Sequence, residues 1–195
     1  NIIGPSDDKL LNIDELSIPG EHNLQNFLAA STCSHLMGIS QNQIVRTLKE
    51  FKGVEHRLEY VRTINEVEYI NDSKATNINS VIVAINTYDQ PIVLILGGFN
   101  KGANFRLLLP HIKSSHVRDI VSYGDAGGQI NTALGDAVRS VQVTDLSSAV
   151  KKAQLMAAPG DIVLLSPGCA SYDEFSNFEE RGNHFKSIIK DLAAS

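Results

Sequence analysis

The sequence predicts an α/β protein, a mostly parallel sheet with helices on both faces. Three observations carry this. From residue 58 onward, strand-like and helix-like stretches alternate. The runs Pro91-Ile92-Val93-Leu94-Ile95-Leu96 and Asp161-Ile162-Val163-Leu164-Leu165 are almost wholly apolar, as strands buried on both faces are. Small, polar or glycine-rich stretches follow several strands, at the edge where open sheets of this kind present ligand sites.

In chain order, residues 1–20 read as a short strand or hairpin and a loop, with an ambiguous Asn12–Leu16 and a break at Pro19-Gly20. Glu21 to about Met37 reads as a helix with Leu24, Phe27, Leu28 and Leu36 inward, stopped by Gly38. Ser40 caps a second helix over 41–51, with Ile44, Val45, Leu48 and Phe51 inward. Two helices without a sheet look like the tail of a larger domain, and a chain that opens on Asn1 is expected to be a fragment. Gly53 marks a boundary, giving segments 1–53 and 54–195.

Strands at Leu58–Ile64 and Val67–Ile70 join at Asn65-Glu66, and a helix follows at 78–88. After strand 91–96 come a helix around 105–113, a strand at Val117–Tyr123, a short helix over 127–134 and a strand at Ser140–Val143. Leu146–Ala157 is helical with Ala149, Val150, Ala153 and Met156 inward; strand 161–165 and an amphipathic helix Phe178–Leu192 close the chain.

Composition narrows the function classes. With 195 residues, 43% hydrophobic and no Trp, the chain can bury a mainly aliphatic core. A net charge of -5 argues against a nucleic-acid backbone as the main partner. No apolar run reaches the ~20 residues of a membrane-spanning helix. Two distant cysteines, Cys33 and Cys169, are expected to be reduced thiols in a cytoplasmic protein.

The chemistry concentrates in Asn71-Asp72-Ser73-Lys74-Ala75-Thr76-Asn77. A helix cap needs only Thr76 or Asn77. It does not explain a carboxylate at Asp72 and an ammonium at Lys74, which favour a site. Gly97-Gly98-Phe99-Asn100-Lys101-Gly102 and Ser166-Pro167-Gly168-Cys169-Ala170-Ser171 follow two other strands. A parallel sheet would bring Asp72, Lys74, Thr76, Lys101 and Ser171 to one rim. Each cluster has a plainer reading: a glycine exit from a strand with an ordinary exposed lysine, and a loop with a structural cysteine. Arg57 can reach a phosphate or ribose, or pair with Glu55 or Glu59. Asn23 and Asn26, three apart on one helix, can read a base edge or satisfy the helix terminus. His22 has no second metal ligand at helical spacing, and neither a GxxxxGK[ST] loop nor a GxGxxG fingerprint occurs.

These residues, in order along nearly the whole chain, resemble the Mur ligases. The match rests on His56-Arg57-Leu58-Glu59, Asn71–Asn77, Gly97-Gly98 with Lys101-Gly102, Leu165-Ser166-Pro167 through Cys169-Ala170-Ser171, and Phe178-Glu179 with Arg181-Gly182. The Gly20–Asn26 segment is similar to part of the family's central domain. The Asn-Asp-Ser-Lys-Ala-Thr-Asn string is similar to that of the D-glutamate-adding branch; Asn104 departs from it, where Asp often stands.

The resemblance implies that residues 1–53 end a central ATP-binding domain and that 54–195 form a Rossmann-like C-terminal domain. It implies ATP-dependent addition of D-glutamate to UDP-N-acetylmuramoyl-L-alanine through an acyl phosphate, in cytoplasmic peptidoglycan synthesis, by a monomer. Lys101 and Thr76 would hold one D-glutamate carboxylate; Ser171, Tyr172 and the backbone around Phe178 would hold the other. Lys74 would be catalytic, facing the phosphates. Arg57 and Asp72 would contact the nucleotide, and Asn23 and Asn26 the adenine. Mg2+ would be bound mostly by residues upstream of this chain, and the chain alone would be inactive. Two alternatives stand beside this: a non-catalytic nucleotide or amino-acid binding module, and another ligase of the superfamily such as a folylpolyglutamate synthetase.

Overall fold

The computed structural model of the chain describes residues 2–3, 9–12, 15–16 and 21–192. It divides into two units, Asn1–Val54 and Glu55–Ser195. In the first, strands β1 (Ile2–Ile3) and β2 (Lys9–Leu11) pair antiparallel, followed by helices α1 (Glu21–Leu36) and α2 (Gln41–Glu50). Leu11, Phe27, Ile44 and Leu48 form its core. Ser40 opens α2, its backbone N–H and hydroxyl both turned to Gln43 Oε1 (3.4 and 2.7 Å). The expected break at Pro19-Gly20 lies outside the described residues.

Three positions expected inward are exposed: Leu28 (41%), Leu36 (79%) and Phe51 (38%). At about 100° per residue, Leu36 lies about 180° around the helix from the buried Phe27, and Leu28 about 100°. One face of α1 cannot bury Phe27, Leu28 and Leu36 together. Phe51 sits just past the end of α2 and meets Phe27 only edge-on (5.9 Å between ring centres).

The second unit follows the predicted alternation. Its strands are β3 (Glu59–Ile64), β4 (Val67–Asn71), β5 (Ile92–Gly97), β6 (Val117–Tyr123), β7 (Arg139–Gln142) and β8 (Ile162–Gly168). Its helices are α3 (Ile78–Ile85), α4 (Leu109–Ser114), α5 (Gly127–Leu134), α6 (Leu146–Met156) and α7 (Phe178–Asp191). The stretch expected as one helix around 105–113 is a 3-10 turn, Phe105–Leu108, running into α4. Pro110 explains the break: it cannot supply an N–H to a continuing helix and suits the first turn of a new one.

The sheet order is β3-β4-β8-β5-β6-β7. Only the β3–β4 hairpin is antiparallel; every other neighbouring pair is parallel. Side chains alternate between two cores. Ile70, Leu94, Leu96, Ile120 and Leu164 face Val81, Ile85, Leu108 and Ile130. Tyr69, Val93, Ile95, Val121, Val163 and Leu165 face Leu146, Val150, Phe185 and Ile189. Helices α3, α4 and α5 therefore cover one face, and α6 and α7 the other. The register aligns Asn71 with Leu165, and Leu165 with Ile95, so the carboxyl ends of β4, β8 and β5 stop side by side.

The hairpin turn has φ 49° at Asn65 and 61° at Glu66. Positive φ at both central residues matches the right-handed twist of the flanking strands and strongly favours Asn-Gly. Glu66 has a Cβ in a conformation that costs about 1–2 kcal/mol. Replacing Glu66 by Gly should therefore stabilise the chain by about 0.5–1 kcal/mol in urea unfolding, the gain being reduced by the freer unfolded chain. A loss of stability would mean that the Glu66 side chain, not the backbone, sets the turn.

Candidate active site

The turns that leave β4, β8 and β5 are neighbours because those strands are neighbours. Phe99, just past β5, exchanges both backbone hydrogen bonds with Ala170, just past β8 (2.9 and 3.1 Å). Gly168 N–H donates to Ala75 O (2.8 Å), tying the β8 turn to the β4 turn. The expected convergence of polar turns on one sheet edge is thus built from backbone bonds.

A buried arginine locks the meeting point. Arg181, in the first turn of α7, is fully buried. Its Nε donates to Ser73 Oγ (3.0 Å) and its Nη2 to Ser73 O and Cys169 O (2.8 and 3.1 Å). Its Nη1 donates to Ala170 O (3.1 Å). Ser73 Oγ in turn donates to Phe178 O (2.8 Å). Gly98 completes the packing: at φ 116°, a Cβ there would strike Ala170 O and stand 3.0 Å from Nη1.

A second polar layer lies against this one. Ser73 N–H donates to Asn71 Oδ1 (3.2 Å), which orients the amide. Asn71 Nδ2 therefore donates to Glu59 Oε2 (2.9 Å) and to His56 Nδ1 (3.0 Å). That makes His56 a neutral acceptor carrying its proton on Nε2. Burial, then the Lys186 charge, push its pKa below the ordinary value, in agreement. His56 O accepts from Lys74 N–H (3.0 Å), so the neutral imidazole underpins the Lys74 turn. The ring lies where a Cβ on Gly182 would sit, which explains that glycine.

Asp72 is the unusual group. It is 5% exposed, with Oδ2 accepting from Ser166 Oγ (2.8 Å) and Oδ1 from Leu58 N–H (3.3 Å). Desolvation pushes its pKa up to about 7, opposed by those two bonds and by the charge of Arg57. An ionisable group this perturbed, without a bonded cation, is a mark of functional sites. Asp72 is thus a buried carboxylate, each oxygen accepting one hydrogen bond from the protein.

The remaining candidates stand as follows. Lys74 is exposed, with its ammonium 5.0 Å above the centre of the Phe178 ring. Thr76 is half-buried and Lys101 exposed, each on its own turn; Ser171 is buried and Tyr172 exposed beside it. Phe178 is half-buried at the start of α7. Arg57 is exposed, and its expected alternative pairing fails: Glu55 and Glu59 are taken by Lys186 (2.9 and 3.1 Å). Asn23 is half-buried and Asn26 exposed on α1, in the first unit. Of the caps considered, Asn77 is used, its Oδ1 accepting from Ser80 N–H (3.0 Å). Cys169 is buried with its thiol pushed up to about 12 by desolvation, a structural cysteine; both cysteines are free. Asn104 caps the 3-10 turn through Arg106 N–H (3.2 Å). The description Mur ligase, glutamate ligase domain, fits residues 56–169, which hold most of this rim.

The chain belongs to the Mur ligase family.

Among its relatives, UDP-N-acetylmuramoylalanine–D-glutamate ligase of Pelotomaculum thermopropionicum is 47% identical over 92% of this chain and 40% of its own length. The protein of the same name from Clostridioides difficile is 44% identical over 98% of this chain and 43% of its own. The chain thus spans about 40% of the length of these relatives. UDP-N-acetylmuramate-alanine ligase of Thermotoga maritima superposes with a TM-score of 0.66 over 90% of this chain and 39% of its own, at 16% identity, a likeness of fold. This Mur ligase chain carries Arg181, Ser73, Asn71 and Glu59 as structural members of the rim that residue-by-residue reading of the sequence did not assign. The signal available was the small, polar composition of 71–77 and Arg181-Gly182 at the start of an otherwise amphipathic helix.

Asp72 makes a pH prediction. An unfolded aspartate ionises at 3.8, the folded one at about 7. Between these values the folded state keeps a proton that the unfolded state has lost. The stability this confers is complete below 3.8 and is lost as pH rises towards 7. Asp72→Asn keeps both hydrogen bonds, with Nδ2 donating to Ser166, and removes the titration. Its stability should match the parent near pH 4 and exceed it by about 2–4 kcal/mol at pH 8 in urea unfolding. A gap that does not widen with pH would show that Asp72 is not strained.

Proposed function

We propose that this chain is the amino-acid-binding part of an ATP-dependent ligase that adds D-glutamate to UDP-N-acetylmuramoyl-L-alanine in the cytoplasm, during peptidoglycan synthesis. The observation that carries the reading is the convergence of Lys74, Thr76, Lys101 and Ser171 on the ends of adjacent strands, in a chain 47% identical to a ligase named for that reaction.

D-Glutamate has two carboxylates, and charge-assisted hydrogen bonds are the strong way to hold them. Lys101 and Thr76 take one; Ser171, with Tyr172 beside it and the N–H groups opening α7, takes the other. Lys74, held over the Phe178 ring, faces the phosphoryl group of the acyl phosphate and stabilises the charge that develops when the amine attacks. As the C–N bond forms, the acyl C–O bond breaks and phosphate leaves with the electron pair. Arg57 contacts the nucleotide, oriented by the Asp72 charge. Asn23 and Asn26 bind the adenine. Among the described residues no group of three His, Cys, Asp or Glu is placed to hold a metal ion, so Mg2+ is assigned no ligand here and no step.

The folylpolyglutamate reading has weaker support, since the relatives above 40% identity carry the D-glutamate name. The deciding assay is phosphate release by the full-length protein with ATP, UDP-N-acetylmuramoyl-L-alanine and either glutamate enantiomer. D-Glutamate should support turnover and L-glutamate should not. Preference for L would overturn the assignment, and no turnover with either would favour the binding module. Lys101→Ala should raise the apparent KM for D-glutamate about 10-fold or more and leave that for ATP within about 2-fold. An unchanged KM for D-glutamate would remove Lys101 from the site.

A further inference from the structure

Arg181 is fully buried, yet among the described residues it is the side chain bonded to both the turn before Lys74–Thr76 and the turn before Ser171. Its four acceptors are neutral: one hydroxyl and three carbonyls. Among the described residues it has no carboxylate within ion-pair distance; Lys186, Lys49, Arg118 and Arg139 supply the cations of the ion pairs. A buried ion without a partner charge is expensive, and an apolar residue of the same volume is often the more stable choice. What an apolar residue cannot do is span three carbonyls and a hydroxyl with a rigid planar fork.

The acceptors lie next to the candidate substrate groups. Ser73 immediately precedes Lys74, and Ala170 immediately precedes Ser171. Through Ser73 Oγ the same fork fixes Phe178 O, and so the first turn of α7. We propose that Arg181 is a positioning residue for the amino-acid substrate: its guanidinium, anchored on Ser73, Cys169 and Ala170, sets the spacing between the turn bearing Lys74 and Thr76 and the turn bearing Ser171. The proposal rests on the substrate reading above for the identity of the ligand, but the spacing it describes is a property of the chain. Geometry that positions a reactant is sensitive: a displacement of about 1 Å costs up to about 100-fold in rate.

Two variants test it. Ser73→Ala removes the hydroxyl that accepts from Nε and donates to Phe178 O, leaving no buried charge unpaired beyond its other bonds. Arg181→Lys keeps the charge and loses the fork. In the full-length protein, Ser73→Ala should raise the apparent KM for D-glutamate about 5-fold, with KM for ATP within about 2-fold. Arg181→Lys should raise it further in the same selective way, and the double variant should fall short of the product of the two single effects, since both break the Arg181–Ser73 hydrogen bond. A second arm needs no substrate. In Ser73→Ala, amide hydrogen exchange at Lys74, Ala75, Ala170 and Ser171 should quicken about 10-fold or more, while Val93–Ile95 in β5 stay unchanged. Exchange unchanged at those four amides overturns the positioning role whatever the substrate is. Exchange quickened in a parent protein that ignores D-glutamate keeps the positioning role and discards the substrate. Equal rises in both KM values, with exchange quickened throughout the sheet, would mark Arg181 as a general fold contact and overturn the proposal.

Discussion

A single guanidinium holds the functional edge of this sheet together. Parallel strands end in turns that diverge towards different helices, and nothing in the strand ladder itself fixes how those turns sit against one another. Here Arg181 spans the β4 turn and the β8 turn with four hydrogen bonds to neutral acceptors. The β5 turn joins by the Phe99–Ala170 backbone pair, and Gly98 is small enough to pass the guanidinium. The arrangement costs desolvation of a full charge. In return the exposed Lys74 and Lys101 and the hydroxyls of Thr76 and Ser171 are presented from fixed backbone.

The electrostatics of the site follow from what is buried and what is not. Cations stay at the surface, where Lys74 and Lys101 are free to meet an anion. Titratable groups below them are held away from their ordinary charge. His56 is kept neutral by burial and by an amide donor, and Asp72 is pushed to about 7 by desolvation with only hydroxyl and backbone donors to relieve it. A negative Asp72 beside an exposed Arg57 costs folding stability at neutral pH. Strongly perturbed carboxylates of this kind cluster at functional sites.

Much of this was legible in the sequence. Strands β5 and β8 announced themselves as apolar runs because both of their faces are covered. The rule that ligand sites lie at carboxyl ends put the polar stretches 71–77, 97–102 and 166–171 on one side of the sheet; that they are neighbours follows from the strand order, which only the fold shows. Lys74, Thr76, Lys101 and Ser171 were nameable because polar residues at strand ends stand out. Arg181 was not, because an arginine in a helix with an apolar face reads as solvated, and only the fold shows its carbon stem and fork buried against two turns. His56, Asn71 and Glu59 form a triad only because the β3–β4 hairpin folds them together, and hydrogen-bond partners twelve or more residues apart leave no spacing to read. Asp72 stood out as chemical, but its burial against Ser166 did not, since nothing local distinguishes a carboxylate that turns inward from one at the surface. Leu28 and Leu36 were misplaced for a simpler reason: α1 has more leucines than one face can cover.

The central claim is that the rim of β4, β8 and β5 is where the D-glutamyl group sits. The direct measurement is a crystal structure of the full-length protein with its expected product, UDP-N-acetylmuramoyl-L-alanyl-D-glutamate. The account predicts one glutamyl carboxylate about 3 Å from Lys101 Nζ and Thr76 Oγ1, and the other about 3 Å from Ser171 Oγ and the opening N–H groups of α7. The α-carbon would lie between the turns that Arg181 joins. Density for the glutamyl group elsewhere would contradict it. An example is the open groove lined by Asn104, Arg106, Asp125, Gln129 and Thr132, with the rim empty.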